Sequence, residues 1–327
     1  MDPLISIVIP TYNNKNYLTI LLKSINSNLS NSNDIRKNFE IIVIDDGSNQ
    51  NLYSLRNLIP FRYFKQKNTG AASARNFGSK VSKGKYLFFL DSDLKLPNNF
   101  LNKVFHILSK KKINVLSFYY NNLSYKKNDN YIPKLKAHLD WFMNKQKKNL
   151  YLDTLIHGQC VVFDKNFFFR SKGWDTKLLG ANCEHEEFSK RVLKKTRIYT
   201  NFEIGPYHYY KKIYITTRDV FLRSYIWSKL FFEKKVNRDY RFKFINIFFF
   251  SFPLISILTL LVDYKISLIL LTFFYLNNFN LYKHVFKNSS LALSLLSIFF
   301  YPLIFTVAII GSISGSIFNI LNKFKIY

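Results

Sequence analysis

Cysteine is almost missing from this chain of 327 residues, where only Cys160 and Cys183 occur. Two cysteines exclude a disulfide framework and make a reducing compartment the simpler setting. Acidic residues are also few, 20 against 48 Lys and Arg, so the formal net charge is +28. The N-terminus has no basic n-region, and the apolar run at residues 4–10 is too short for an h-region, so a secretory leader is not expected. Neither G-x-G-x-x-G nor G-x-x-x-x-G-K-[ST] is found, which removes the dinucleotide fingerprint and the P-loop from consideration. What the chain does have is apolar material: 48% hydrophobic and 18% aromatic residues, enough to exclude disorder and to build a large core. Its length allows about two domains. The positive charge fits either nucleic acid or an anionic membrane surface. No nucleic-acid reader motif is present, so nucleic acid is the disfavoured partner and membrane lipids the favoured one.

Charge is locally absent as well. From Phe244 onward the only acid is Asp263 and the only bases are Lys265, Lys283, Lys287, Lys323 and Lys325, while 43 bases and 19 acids precede that point. Residues 244–262 are uncharged and, as a helix, would reach about 28 Å, near the hydrocarbon thickness of a bilayer. Residues 266–282 are uncharged but carry Asn277, Asn278 and Asn280. Residues 289–321 are uncharged over about 50 Å of helix, too long for one upright crossing, and Pro302 offers a kink or a division into two segments. Gly311 and Gly315 form a small-xxx-small face suited to close helix packing. Two to four membrane segments are therefore expected over residues 244–327. The preceding stretch, 211–243, holds ten bases and three acids, with Leu222, Ile226 and Leu230 recurring every four residues. This reads as a basic amphipathic helix at the membrane interface, with a solvated or core helix as the alternative. The positive-inside rule puts this flank and the body before it on the cytoplasmic side of the membrane.

The first 210 residues read differently. Residues 4–10 (LISIVIP), 40–44, 62–66, 85–90 and 113–120 are short apolar runs expected as buried strands. Helical spacing is seen at 15–28, after the capping residues Asn13 and Asn14, and at 70–81 and 98–110. Continuous apolar strands alternating with helices imply an α/β domain on a mainly parallel sheet. Ligands in such sheets bind beyond the carboxyl ends of the strands, and Asp45, Asp46, Asp91 and Asp93 all lie at such ends. Carboxylates so close together repel one another unless a cation joins them. Hard oxygen donors suit Mg²⁺ or Mn²⁺, with substrate phosphates completing the shell.

Four segments carry a family resemblance: IVIPTYNN at 7–14, IIVIDDGS at 41–48, NTGAASARNFG at 68–78 and GKYLFFLDSD at 84–93. In order and spacing the chain resembles family 2 glycosyltransferases of the GT-A fold over roughly residues 4–205. The resemblance implies transfer of a sugar from a nucleotide-sugar donor, often UDP-linked, with inversion at the anomeric carbon. It implies that Asp45 contacts the nucleobase, that Thr11 and Tyr12 sit beside the nucleotide, and that Arg75 lies near the donor. It further implies that Asp91 serves the ribose or the metal and that Asp93 holds the metal on the diphosphate. The plain alternatives are that Asp46, Gly47 and Ser48 only shape a turn and that Arg75 only pairs with an acid. His208 resembles a late histidine that contacts metal or diphosphate in some GT-A enzymes.

The family commonly shows E-D-x-E-[LF]-x-x-R, in which the Asp is the general base. This chain has Glu184, His185, Glu186, Glu187, Phe188, Ser189, Lys190 and Arg191, so His185 stands where that Asp would be. Histidine can take a proton near neutral pH. Glu184 can orient it or replace it, and Glu187 or no base at all are the remaining options. Glu187 and Arg191 alternatively form a plain i, i+4 pair. Trp174 reads as core or as a sugar-stacking wall, and residues 119–149 as a variable acceptor-side loop.

The expected organisation is a catalytic domain at 1–210, a juxtamembrane segment at 211–243 and a transmembrane region at 244–327. The expected activity is a membrane-anchored, metal-dependent inverting transferase acting on a lipid-linked or cell-surface glycan in envelope polysaccharide assembly. One rival is a polyprenyl-phosphate glycosyltransferase. Another, prompted by His185, is an inactive membrane scaffold that still binds sugar nucleotides.

Overall fold

The computed structural model describes residues 4–30, 33–121, 131–144, 150–178, 183–210, 212–233 and 244–324. The chain divides into two compact units: Met1–Asn121 with Gln146–Tyr209, and Asn122–Lys145 with Tyr210–Tyr327.

In chain order the elements are β1 (Ile5–Thr11), α1 (Lys15–Ser30), α2 (Asn33–Arg36), β2 (Phe39–Asp45), β3 (Arg62–Lys65), α3 (Ala71–Val81), β4 (Tyr86–Leu90), β5 (Leu94–Lys95), α4 (Phe100–Lys110) and β6 (Val115–Phe118). Then come α5 (Tyr131–Asn144), β7 (Leu150–Asp153), β8 (Cys160–Asp164), α6 (Lys165–Arg170), α7 (Glu184–Leu193), β9 (Ile198–Asn201) and β10 (Tyr207–His208). The helices α8 (Ile213–Phe232), α9 (Phe244–Thr259), α10 (Tyr264–Asn277), α11 (Phe279–Asn288) and α12 (Leu291–Phe324) complete the described chain.

The first unit is a three-layer α/β sandwich of the GT-A type. Its eight-stranded sheet runs β3-β2-β1-β4-β8-β6-β9-β7, and a second, two-stranded sheet pairs β10 with β5. Strands β3, β2, β1 and β4 are parallel neighbours, β6 and β9 are parallel, and β8 and β7 run against them. Period-2 alternation sends Ile5, Ile7 and Ile9 of β1 into one core, with residues of α1 and α4. Val8, with Ile42 and Ile44 of β2, faces the opposite core with α3 and α7. Both faces are covered, which is why these strands read as unbroken apolar runs.

The second unit packs α5 and α8–α12 around a core that includes Leu135, Leu139, Phe274, Leu281, Val285 and Tyr301. Here three expectations are corrected. Residues 131–144 are not a loop: Leu135 and Leu139, four apart, are buried in this core, and the polar composition of the surrounding stretch masked that stripe. Pro302 does not divide the last apolar stretch, which is one continuous helix of 34 residues. The stretch at 266–282 is broken at Asn278, whose side-chain amide donates to the Phe274 carbonyl at 2.9 Å and ends α10. Among the described residues one helix, from Leu291 to Asn322, is long and apolar enough to cross a membrane, and α9 and α10 are shorter apolar helices. Within 211–243, α8 is helical as expected, while residues 211 and 234–243 lie outside the described residues. Gly311 and Gly315 press on α8: a Cβ on either would meet the Phe221 or Tyr225 carbonyl oxygen at 2.5 or 2.3 Å.

Candidate active site

The carboxyl ends of β1, β2 and β4 are tied into one rim. Thr11 and Asp45 are register partners at the ends of β1 and β2. The Ser48 amide donates to Asp45 Oδ1 at 2.8 Å, and the Asn13 amide donates to Ser48 Oγ at 2.8 Å. Asn14 then donates its side-chain amide to Ser92 Oγ, also at 2.8 Å, and Ser92 sits between Asp91 and Asp93. The four acids therefore belong to one edge of the sheet.

Within that rim the acids do different things. Asp45 is fully buried and also accepts a hydrogen bond from the Tyr63 hydroxyl at 2.5 Å. Burial, together with that carboxylate, holds the Tyr63 pKa well above its ordinary value, so the hydroxyl stays a donor. Asp46 accepts from the Thr69 and Gly70 amides at 3.0 and 2.8 Å and from Gln66 at 2.7 Å. It thus shapes the loop entering α3, where negative charge is favoured by the helix N-terminus. Thr11 is buried, and its hydroxyl finds no hydrogen-bond partner among the described residues. Tyr12 is half exposed beside it.

Arg75 joins the two halves of the site. It comes from α3, is buried, and donates to Asp91 Oδ1 at 2.6 Å and to Glu184 Oε1 at 3.4 Å, with its guanidinium over the Trp174 ring. Burial opposes its charge, but the two carboxylates outweigh burial and raise its pKa. Arg75 does pair with acids, as the plainer sequence alternative had it, and with two of them at once. Trp174 lies in the core with Phe89, Phe163 and Phe188.

Glu184 and His185 open α7, whose N-cap Cys183 has a left-handed φ of 60°. Ser189, one turn on, accepts the Ile156 amide at 2.8 Å and so docks α7 beside the segment ahead of β8. His185 is wedged there. Its ring crosses Trp174 edge-on at 5.6 Å, and a Cβ on Gly158 would fall 2.1 Å from its Nδ1. Its Nε2 lies 3.9 Å from Glu184 Oε1. Glu187 is paired with Arg191 at 2.5 and 2.8 Å, and Arg191 also donates to the Ser171 and Gly173 carbonyls, holding the loop that carries Trp174.

Asp93 faces His208, with Oδ2 3.5 Å from Nε2. The short β5–β10 pairing sets this distance, and the Tyr120 ring stacks on the imidazole at 4.4 Å. Among the described residues no three His, Cys, Asp or Glu side chains converge as a metal cage. One carboxylate and one imidazole fit a divalent ion that takes its other ligands from a diphosphate and water.

Comparison with known proteins follows from this geometry. The family model described as "Glycosyl transferase family 2" matches residues 6–171. The chain belongs to that family. An uncharacterized glycosyltransferase of Rickettsia typhi is 30% identical over 212 residues, covering 62% of this chain and 63% of the relative. The poly(ribitol-phosphate) beta-N-acetylglucosaminyltransferase TarP of Staphylococcus aureus is 37% identical over 27% of this chain and 28% of its own length. The chain spans less than two thirds of the curated relatives it matches, down to 15–18% of other Rickettsia proteins. Among solved structures, a mannosyltransferase from Pyrobaculum calidifontis, in complex with GDP-Man and Mn²⁺, shares the fold. Its TM-score is 0.59 at 14% identity, over 98% of this chain and 88% of that one.

Tyr63, Gly158 and Tyr120 are the supporting residues that sequence reasoning missed. Only Gly158, a glycine just ahead of a strand, carried any local signal.

Proposed function

We propose that this family 2 protein is an inverting glycosyltransferase, anchored in the membrane through its second unit. It moves a sugar from a nucleotide donor, UDP-linked by the family resemblance, to a lipid-linked or cell-surface glycan. The observation that carries this reading is the rim where Arg75 clasps Asp91 and Glu184 while Asp93 faces His208. The name of the Staphylococcus aureus relative supports a cell-envelope polymer as acceptor, and the Mn²⁺ in the Pyrobaculum structure supports divalent-ion use.

In this reading Asp45, Thr11 and Tyr12 serve the nucleoside end of the donor. Asp91, oriented by Arg75, serves the ribose and diphosphate. Asp93 with His208 holds Mg²⁺ or Mn²⁺, which when bound supplies positive charge against the departing diphosphate. His185 takes the acceptor proton. The Gly158 seat and the Trp174 ring fix its imidazole, and Glu184, paired with Arg75, is the carboxylate beside the imidazolium that forms. The long apolar helix α12 and the apolar α9 and α10 form the anchor, and the basic flank sets the catalytic domain on the cytoplasmic side.

The test is sugar transfer from a panel of radiolabelled UDP-sugars to membrane acceptors, with and without Mn²⁺. Asp93→Ala is expected to abolish transfer, and His185→Ala to lower kcat by about 10²–10⁴ with donor binding kept. Wild-type protein that binds donors yet neither transfers nor hydrolyses them would instead identify the inactive scaffold. Full turnover in His185→Ala would remove that residue from the base role.

A further inference from the structure

The second unit contains a cleft of about 600 Å³ on α11 and the end of α5, lined by Trp141, Phe142, Asn280, Lys283, His284, Lys287 and Asn288. Its size suits a ligand head group, for which about 300–1,000 Å³ is usual. We infer that this cleft binds the phosphate head group of a membrane lipid. The inference goes beyond the transferase reading and involves none of the residues named for it.

The chemistry of the lining selects an oxyanion. Lys283 and Lys287 are one turn apart on α11, where like charges repel, and among the described residues no carboxylate lines the cleft. Asn280 adds an amide donor, while the Asn288 amide is held by the His284 carbonyl at 2.7 Å. The His284 ring lies between Asn288 Nδ2, 3.2 Å from its Nδ1, and His138 Nδ1, 3.3 Å from its Nε2. His138 is buried, and burial, with His284 beside it, pushes its pKa down to about 4. His284 stacks on Trp141 at 4.7 Å, giving the cleft an aromatic wall next to its cationic floor.

The position in the unit argues for a lipid. Helices α9 and α10 would reach only about 24 and 21 Å, short of a bilayer core. They form a hairpin joined by the Ser256–Ser267 hydroxyl bond at 2.8 Å, and its tip exposes Leu261 by 93% and Val262 by 85%. A hairpin with an apolar tip enters the hydrocarbon and returns to the side it came from. Helix α11 begins where α10 returns, and two residues separate its end from α12, the helix long and apolar enough to cross a membrane. It therefore lies at head-group level, where lysines meet lipid phosphates.

The experiment uses the full chain in phosphatidylcholine nanodiscs, with native mass spectrometry as the readout. Undecaprenyl phosphate, phosphatidylglycerol and inorganic pyrophosphate are titrated separately, and UDP binding serves as the folding control. A lipid phosphate should bind, and the double variant Lys283→Gln/Lys287→Gln should weaken it about tenfold to a hundredfold while UDP binding stays unchanged. Preference for undecaprenyl phosphate over phosphatidylglycerol would assign a carrier lipid, and equal binding a bilayer lipid. Equal lipid binding by wild type and double variant would overturn the site. Pyrophosphate bound as tightly as either lipid would overturn the lipid assignment. Because UDP binding is read separately, failure here leaves the transferase reading standing, and the reverse.

Discussion

Arg75 is the residue on which the two halves of the candidate site depend. Its neighbours Asp91 and Glu184 come from different segments, and Glu184 is almost fully buried. Two carboxylates near one another in a dry setting tolerate their charge only beside a cation. Arg75→Leu is therefore expected to lower stability by about 3–5 kcal/mol, read as a shift in denaturant midpoint. Arg75→Lys should recover part of that loss but not turnover, because a single ammonium cannot span both carboxylates as the planar fork does. The same scale explains what the sequence could not express. The D-x-D acids and Arg75 stood out as residue types. The seat that Gly158 makes for His185 and the hydroxyl that Tyr63 lends to Asp45 depend on chain segments many residues apart.

Among elements, strands were the most legible. A strand buried on both faces must be apolar throughout, so β1, β2 and β4 announce themselves over their full length. Helix α5 did not, since Pro133, Lys134, Lys136, His138 and Asp140 interrupt its apolar spacing even though Leu135, Ala137 and Leu139 are buried. Pro302 misled for a related reason: a proline weakens a helix locally, yet packing along neighbouring helices carries α12 through it. The leucine spacing on α8 pointed to one face, while the contact with α12 uses the Ser224 and Ser228 face beneath Gly311 and Gly315. With a carbonyl oxygen 2.3 Å from an added Cβ, Gly315→Leu must push α8 away from α12. Thermal unfolding in detergent should shift down by the equivalent of about 1–3 kcal/mol, with Gly315→Ala intermediate.

For the molecule as a whole, the anchor is the main physical expectation. The apolar helix α12 and the exposed apolar hairpin tip give the chain a large lipid-seeking surface. The protein should remain in the membrane pellet after washes at high salt and at alkaline pH, and should be released only by detergent. Release by salt alone would reduce the association to the electrostatics of the +28 chain and remove the anchor.

The order of apolar runs, the acids at strand ends and the charge-poor C-terminal quarter were determined by the sequence, because hydrophobic periodicity and local charge are properties of neighbouring residues. Tertiary structure alone decided that Arg75 clasps Asp91 and Glu184, that Asp93 meets His208, and that a basic cleft opens on α11. Those arrangements depend on distances between segments, and such distances exist only once the two cores have packed.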